Sequence, residues 1–519
     1  MSIWHPLRSG RIRLLAERSL IVLLLPLLTL LLAVPASAEG PAHPDIPEFD
    51  QLIADFDAGI LTLKQLRAMG LSVFATPFNL HDGLGDGSYD PNETNRLAFG
   101  HRPSLQGNGQ HLRVNGLDAQ SCNECHTIVS NRSRVPTLGL GGVGGVVQNA
   151  IIMPSMIDVA DSSDDRVLYK AGHNPDLQMV EDGIADFNGR FANPPFLFGG
   201  GGVELVAKEM TEDLQKILDT ARTAPAGTVL PLDTHGVSFG TVKSLGAGDV
   251  YLDVEGIGPE DTANLRPEEV LVVRSFGRKG ENFSMRDFDR GAMQFHFGIQ
   301  PVEVFGQGND EDGDGVSNEV TVGEMSVLHI FDVTNPKPFL QPLGRDGRAG
   351  QRVFDQIGCG GCHIPSIHTR GRNLPLAFPE IAERPRDNVY LEIGLIQVGF
   401  HPIPRGGVEV PMFSDLKRHA MGPRLAETFE HGELANDEFI TARLWGIADT
   451  APYLHDGRAT TLYDAIELHG GEAQAARDAF VDLGERNREN LLTFLGKLRT
   501  PIAPNQKLLK LLEKMPHRG

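Results

Sequence analysis

Two five-residue stretches share one form: Cys122-Asn123-Glu124-Cys125-His126 and Cys359-Gly360-Gly361-Cys362-His363. Their spacing constrains the chain more than any other feature. Two thiols three residues apart lie on one face of a helical turn, where each can form a thioether to a porphyrin vinyl group. The next residue, His126 or His363, then swings under the ring as an axial iron ligand. Each box therefore reads as a c-type haem attachment site, which gives two covalently bound haem c groups. All 4 cysteines of the 519-residue chain are used this way, so none is left for a disulfide. A zinc ribbon would need both CxxC pairs on one tetrahedron at much shorter spacing. A thioredoxin-type dithiol does not require the histidine that follows.

The N-terminus agrees with this chemistry, because c-type haem is attached outside the cytoplasm in bacteria. Arg8, Arg11, Arg13 and Arg18 precede an apolar run from Leu20 to Val34, interrupted by Pro26, and Ala36-Ser37-Ala38 supplies a small-x-small cleavage pattern. Residues 1–38 are expected to be a signal peptide, with a membrane attachment only if that segment stays uncleaved. The expected compartment is periplasmic or otherwise extracytoplasmic. A net charge of −21 argues against nucleic acid or an anionic membrane as partner. It favours a basic electron-donor protein or a small uncharged substrate.

Along the chain, Phe49, Leu52, Ile53 and Phe56 predict a helical stripe within a surface helix pair at 39–75. Residues 81–120 read as loop. Gly139 to Gly144 matches GxGxxG, but no strand precedes it, so dinucleotide binding is a weak reading. Arg132 and Arg134 suit haem propionates or plain solvation equally. No histidine falls between His126 and His173, and Met153 and Met156 are the local alternatives. That scarcity favours an open distal position on the first iron. Glu204 falls near the start of a predicted helix, where its charge suits the dipole. Residues 222–276 read as a small β-rich insertion of hairpins. An acidic loop at 310–321 places Asp310, Asp312 and Asp314 at EF-hand positions 1, 3 and 5 and Gly315 at position 6. Thr321 stands at position 12 and Glu319 falls two residues early, so Ca²⁺ held by these four carboxylates competes with a solvated acidic turn. Val353, Phe354 and Ile357 predict a helix leading into the second box. A proline-rich loop follows to about 411, then helices at Thr461 to His469 and around Leu491 to Leu498.

The stretch from Trp445 to Arg458 has the form W-G-x5-PYxHDG. With Ser414-Asp415-Leu416, His419 to Gly422, His469-Gly470-Gly471-Glu472-Ala473 and Phe276-Gly277-Arg278-Lys279-Gly280, it resembles the di-haem oxidoreductase (putative peroxidase) family. That family is related to di-haem cytochrome c peroxidases and to the di-haem enzyme that matures tryptophan tryptophylquinone. The resemblance implies a mainly α fold of two cytochrome c-like domains, 39–340 and 341–519, with the β-rich insertion in the first half. His126 and His363 match the proximal ligands. The helix after HDG supplies a distal ligand to the second haem in these relatives, and His469 stands there, with Met421 or His419 as rivals. Glu204 matches the position of their catalytic acid/base, against a plain helix-start role. The relatives place a tryptophan between the haems; here only Trp4 and Trp445 exist, so Phe187, Phe191 or backbone would fill that space. The implied reaction is reduction of H₂O₂ at the N-terminal haem, with electrons from a cytochrome or cupredoxin relayed through the C-terminal haem. A peroxide-dependent oxidase or maturase of a protein or organic substrate, and a non-catalytic electron carrier, are the alternatives.

Overall fold

The computed structural model describes residues 40–84, 121–126, 149–152, 189–195, 197–259, 264–311, 313–427, 434–502, 505, 507, 508 and 510. The expected signal peptide, Arg132, Arg134, the glycine-rich 139–144, Met153, Met156, Phe187 and Asp312 lie outside them. The helices that frame the sites are α1 (Phe49–Asp57), α2 (Leu63–Ala75), α3 (Gly200–Thr223), α4 (Met285–Ala292), α5 (Val322–Val333), α6 (Gly344–Gln356), α7 (Leu462–Leu468) and α8 (Glu485–Leu495).

Thr62 starts α2 through a capping box with Gln65, each side chain taking the other's backbone N–H. A surface pair is the expectation here, yet α2 is interior. Leu66, Ala68, Gly70, Leu71, Val73 and Phe74 are all buried. The reason is its partner. A Cβ on Gly70 would lie 2.0 Å from the Val327 carbonyl oxygen, so the absent side chain is what lets α2 and α5 cross this closely. Phe74 meets Phe331 across that crossing at 5.4 Å. His43 fastens the preceding segment: its Nδ1 pairs with Glu324 Oε1 at 2.8 Å, while Ala42 and His43 N–H donate to Asp82 Oδ1 at 2.7 and 3.1 Å.

Helices α6 and α8 repeat the device. A Cβ on Gly350 would sit 1.9 Å from the Asn490 carbonyl oxygen. Val353, Phe354, Phe413, Phe480, Leu491 and Phe494 form a separate apolar cluster around this crossing. Each such buried Phe or Leu contributes about 1.5–3 kcal/mol. The larger cluster centres on α2, α3 and α5 and takes in Leu374, Ile393, Val410, Met412 and Trp445 from the second half of the chain.

The expectation of a mainly α chain built from two cytochrome c-like domains is corrected. Among the described residues 39% are helical and 16% lie in strands, distributed over six small sheets. The segment read as hairpins holds a three-stranded antiparallel sheet of β1 (Val229–Thr234), β2 (Val237–Gly246) and β3 (Asp249–Val254). Much of the remaining strand comes from the region read as proline-rich loop, where β4 (Asn373–Ala377) pairs with β5 (Val389–Gly394). Val389 to Gly394 does alternate in burial, but over only six residues, too few for periodicity to compete with the flanking prolines as a signal. A further pair, β6 (Arg418–Ala420) and β7 (Glu438–Ile440), crosses residues that the sequence reading used only as motif.

Candidate functional site: two haem attachment segments

At the second box, α6 ends at Gln356 and Cys359–Gly361 form one 3₁₀ turn, which delivers His363. His363 Nδ1 meets the Phe413 carbonyl at 3.1 Å. His469 caps the C-terminus of α7, and its Nδ1 meets the Ala465 carbonyl at 2.8 Å. A carbonyl only accepts, so Nδ1 carries the proton in both rings and Nε2 is left with the lone pair. The two rings face each other at 6.5 Å between centroids. Two metal–imidazole bonds of about 2 Å each, plus the ring radii, span roughly 6 Å. The observed centroid separation is of that size, with the ring planes tilted by 53°. Burial, reinforced by the neighbouring His469, pulls His363 down to about 4, and burial also lowers His469. Both are thus neutral, as a ligand must be.

His419, the rival ligand, has both ring nitrogens engaged. Its Nε2 lies 2.9 Å from Asp415 Oδ2 and its Nδ1 2.7 Å from Glu472 Oε2, so no lone pair remains. Burial opposes its charge, but Asp415, Cys362 and Glu472 outweigh it and push the imidazole up to about 11.

At the first box, Cys122–Cys125 make a single helical turn and His126 follows. His126 Nδ1 meets the Pro195 carbonyl at 2.8 Å, which sets the same tautomer again. Among the described residues Phe288 lies edge-on to the His126 ring at 6.4 Å, and the His296 imidazole is near enough to bear on it. Burial pulls His126 down to about 4, with a smaller push from His296. His296 sits on a π-helical turn, Met293–Phe297, that continues α4. Sequence reasoning did not single it out, since a π-turn leaves no periodic signature. Pro195, Phe198, Phe276, Met285, Phe288 and Arg443 line one cavity beside this segment. The Arg443 guanidinium is pulled down to about 10 by burial, donates to the Ser275 carbonyl at 3.2 Å and has no carboxylate partner among the described residues. A haem propionate would suit this half-buried fork.

Glu204 is the fifth residue of α3, just past its first turn, and is fully buried. It does not stand free. Its Oε1 is 2.7 Å from Lys208 Nζ, and its Oε2 accepts from Met285 N–H at 3.0 Å and meets His329 Nε2 at 3.2 Å. Burial opposes ionisation, yet Lys208 and His329 hold the carboxyl below its ordinary range. Burial instead raises Asp289 on α4 and Asp332 on α5, both well above the carboxylate range. Asp289 Oδ2 and both Asp332 carboxyl oxygens are buried without a hydrogen-bond partner. The two aspartates bear on Cys122, whose thiol burial also pushes up. A charged residue inside the apolar run Val327 to Val333 was the sequence signal for Asp332.

The acidic loop closes on itself. Asp310 Oδ1 accepts from Gly313 and Asp314 N–H at 2.8 and 3.2 Å, and its Oδ2 from Gly315 N–H at 3.0 Å. Asp314 Oδ1 accepts from Val316 N–H at 2.7 Å. Glu319 is buried and accepts from Gln300 N–H at 2.7 Å. Among the described residues Asp310, Asp314 and Glu319 do not converge on one point. Thr321, at position 12, is the N-cap of α5 in a capping box with Glu324, which gives it a purpose without a cation.

The Trp445 to Arg458 stretch reaches both boxes. Asn193, two residues before the carbonyl that holds His126, donates from Nδ2 to the Pro452 and Leu454 carbonyls at 2.7 and 3.0 Å and from its backbone N–H to the His455 carbonyl at 2.8 Å. His455 stacks on Phe439 at 4.3 Å, and Lys279 lies 4.4 Å over that same ring. Trp445 is buried against Phe400, and its ring is 2.6 Å from where a Cβ on Gly199 would stand. It follows Arg443 of the first-box cavity and Leu444 of the second apolar cluster. The tryptophan that the sequence reading set aside is thus flanked by residues of both sites.

Residues 400–498 match the family model described as di-haem oxidoreductase, putative peroxidase. A search of curated proteins finds no match. Among solved structures, hydrazine synthase of Kuenenia stuttgartiensis, pressurised with 20 bar xenon, is similar over 53% of this chain and 78% of its own, at 15% identity and a TM-score of 0.25.

Proposed function

We propose, starting from the match of residues 400–498 to the di-haem oxidoreductase family model, that this chain is an exported c-type di-haem peroxidase. It would reduce H₂O₂ to water at the Cys122/Cys125/His126 haem, with electrons supplied through the Cys359/Cys362/His363 haem. One observation carries the reading: His363 and His469 face each other at 6.5 Å, whereas His126 is met by the ring of Phe288. The first arrangement saturates an iron and suits electron relay. In this reading the first iron keeps a coordination position for oxidant.

Bound haem supplies the redox equivalents and the metal site at which an O–O bond is cleaved. The chain's own residues do the rest. Pro195, Phe413 and Ala465 carbonyls fix three imidazoles as neutral Nδ1–H tautomers. Arg443 is placed to hold a propionate. Asn193 locks the segment behind His126 to the Pro452–His455 backbone. A soluble cytochrome or cupredoxin is the electron donor in this reading, and the compartment is extracytoplasmic.

Purified holoprotein should give two haems in a pyridine haemochrome assay and one low-spin bis-histidine signal by ferric EPR. It should consume H₂O₂ with oxidation of a reduced donor. Two low-spin, peroxide-inert haems would overturn the peroxidase in favour of a carrier. Peroxide consumption only in the presence of an organic or protein substrate would favour the oxidase.

A further inference from the structure

Two segments carry the imidazoles of the second site, and a set of side chains with no assigned role joins them. Phe413, whose carbonyl holds His363, stands two residues before Asp415; His469 stands three residues before Glu472. His419 lies between, its Nε2 2.9 Å from Asp415 Oδ2 and its Nδ1 2.7 Å from Glu472 Oε2. We propose that Asp415, His419 and Glu472 form an ionic strap that sets the separation of His363 and His469, with His419 and Glu472 as positioning residues for His469. The proposal rests on reading His363 and His469 as a ligand pair.

The geometry gives this strap something to hold. Strand β6, which contains His419, is fixed on its far side: Arg418 N–H donates to the Gly256 carbonyl at 2.8 Å and its guanidinium to the Gly258 carbonyl at 2.8 Å. On the near side the chain that leaves His469 runs along the β6 backbone with no side chain as a spacer. A Cβ on Gly471 would meet the Ala420 carbonyl oxygen at 2.0 Å, and one on Gly470 the Met421 carbonyl oxygen at 2.9 Å. Two flush backbones can slide, so something must set the register. Glu472 does so twice, taking Ala420 N–H on Oε1 at 2.9 Å and His419 Nδ1–H on Oε2. Asp415 is itself fixed by accepting Lys417 N–H at 2.9 Å. An imidazole with a carboxylate on each nitrogen works as a rigid two-ended connector. Neutral glutamine at 419 would satisfy one end and leave the other.

The test uses holoprotein carrying Glu472→Ala, Glu472→Gln, His419→Gln or His469→Ala, each checked for two haems by pyridine haemochrome. Ferric EPR and carbon monoxide binding to the dithionite-reduced protein are then recorded. Loss of one charge-assisted hydrogen bond should raise the fraction of detached His469 about ten-fold or more in Glu472→Ala and His419→Gln, read as faster carbon monoxide binding at that haem. Glu472→Gln keeps an acceptor for Ala420 N–H but loses the charged partner of His419, and should fall between the parent and Glu472→Ala. Parent-like EPR and carbon monoxide kinetics in both disrupting variants, with His469→Ala clearly altered, would overturn the strap alone. An unaltered His469→Ala would overturn the ligand reading and the strap with it. Should Glu472→Ala fail to retain both haems, His419→Gln decides the matter: parent-like EPR and carbon monoxide kinetics there, with His469→Ala altered, would overturn the strap.

Discussion

Lys208 tests what the buried carboxylate at the start of α3 is for. Its ammonium lies 2.7 Å from Glu204 Oε1 and 3.5 Å from Glu380 Oε1, and it donates to the Pro375 carbonyl at 2.8 Å. Lys208→Met keeps the apolar stem and deletes the charge. Two carboxylates then face one another where Glu204 has no exposure to water at all. Breaking a buried pair from one side costs about 3–5 kcal/mol. Glu204→Gln should cost less, about 1–3 kcal/mol, because Lys208 keeps Glu380 and a carbonyl. In the double variant neither original charge is left to face a missing partner, so its loss should fall short of the sum by about 1–3 kcal/mol. Urea unfolding of the holoprotein, followed by far-UV circular dichroism, measures all three, with peroxide consumption recorded in parallel. A general acid is worth roughly 10²–10⁴-fold in rate, so Glu204→Gln should lower kcat by clearly less than that while lowering stability. Strictly additive losses, or a rate loss of that size at unchanged stability, would refute the ion-pair account and give Glu204 the acid's role.

Gly350→Ala inserts a methyl 1.9 Å from a backbone oxygen, which must push α6 from α8; a loss of about 1–3 kcal/mol in urea unfolding is expected, and an unchanged midpoint would contradict the close crossing. Trp445→Ala should cost about 3–5 kcal/mol and slow electron equilibration between the haems after flash reduction, whereas Trp445→Phe should recover most of the stability; equal behaviour of the two would deny the ring its packing role. His43 gives a pH signature. Burial lowers its pKa, but Glu324 and Asp82 together raise it above 6.5 in the folded chain. Its contribution is therefore complete below 6.5 and lost as pH rises through the folded value. The melting temperature should fall between pH 6.5 and 9 more in the parent than in His43→Gln, as requires; parallel curves would remove His43 from the account.

The two CxxCH boxes, and the covalent chemistry we propose for them, were legible in the sequence by itself. A CxxCH box works within one helical turn, so Cys122, Cys125 and His126, and Cys359, Cys362 and His363, could be read without knowing any distant neighbour. His469 was singled out by the resemblance, as the residue that ends a short helix after the HDG motif, and the structure sets its ring 6.5 Å from that of His363. Thr321 was noticed at its position but read only as a departure from the calcium-loop pattern. Its capping partner lies three residues on, within local reach, and the emphasis on the acidic run hid it.

Only the tertiary structure decided the rest, because those features depend on groups far apart in the chain. The proton on His126 is placed by Pro195, 69 residues away, and that on His363 by Phe413, 50 residues away. Glu204 could not be told apart from a free acid until Lys208 and His329 were seen around it. Its environment, unlike its place in a helix, sets its charge. The strands at 373–394 escaped notice because strand pairing is settled by a partner's register, and runs of five or six residues carry too little periodicity to reveal it. Trp445 is the clearest instance: a residue remote in sequence from the first haem box packs against Gly199 beside it, since a large apolar ring is driven to whichever buried surface the folded chain leaves open to it.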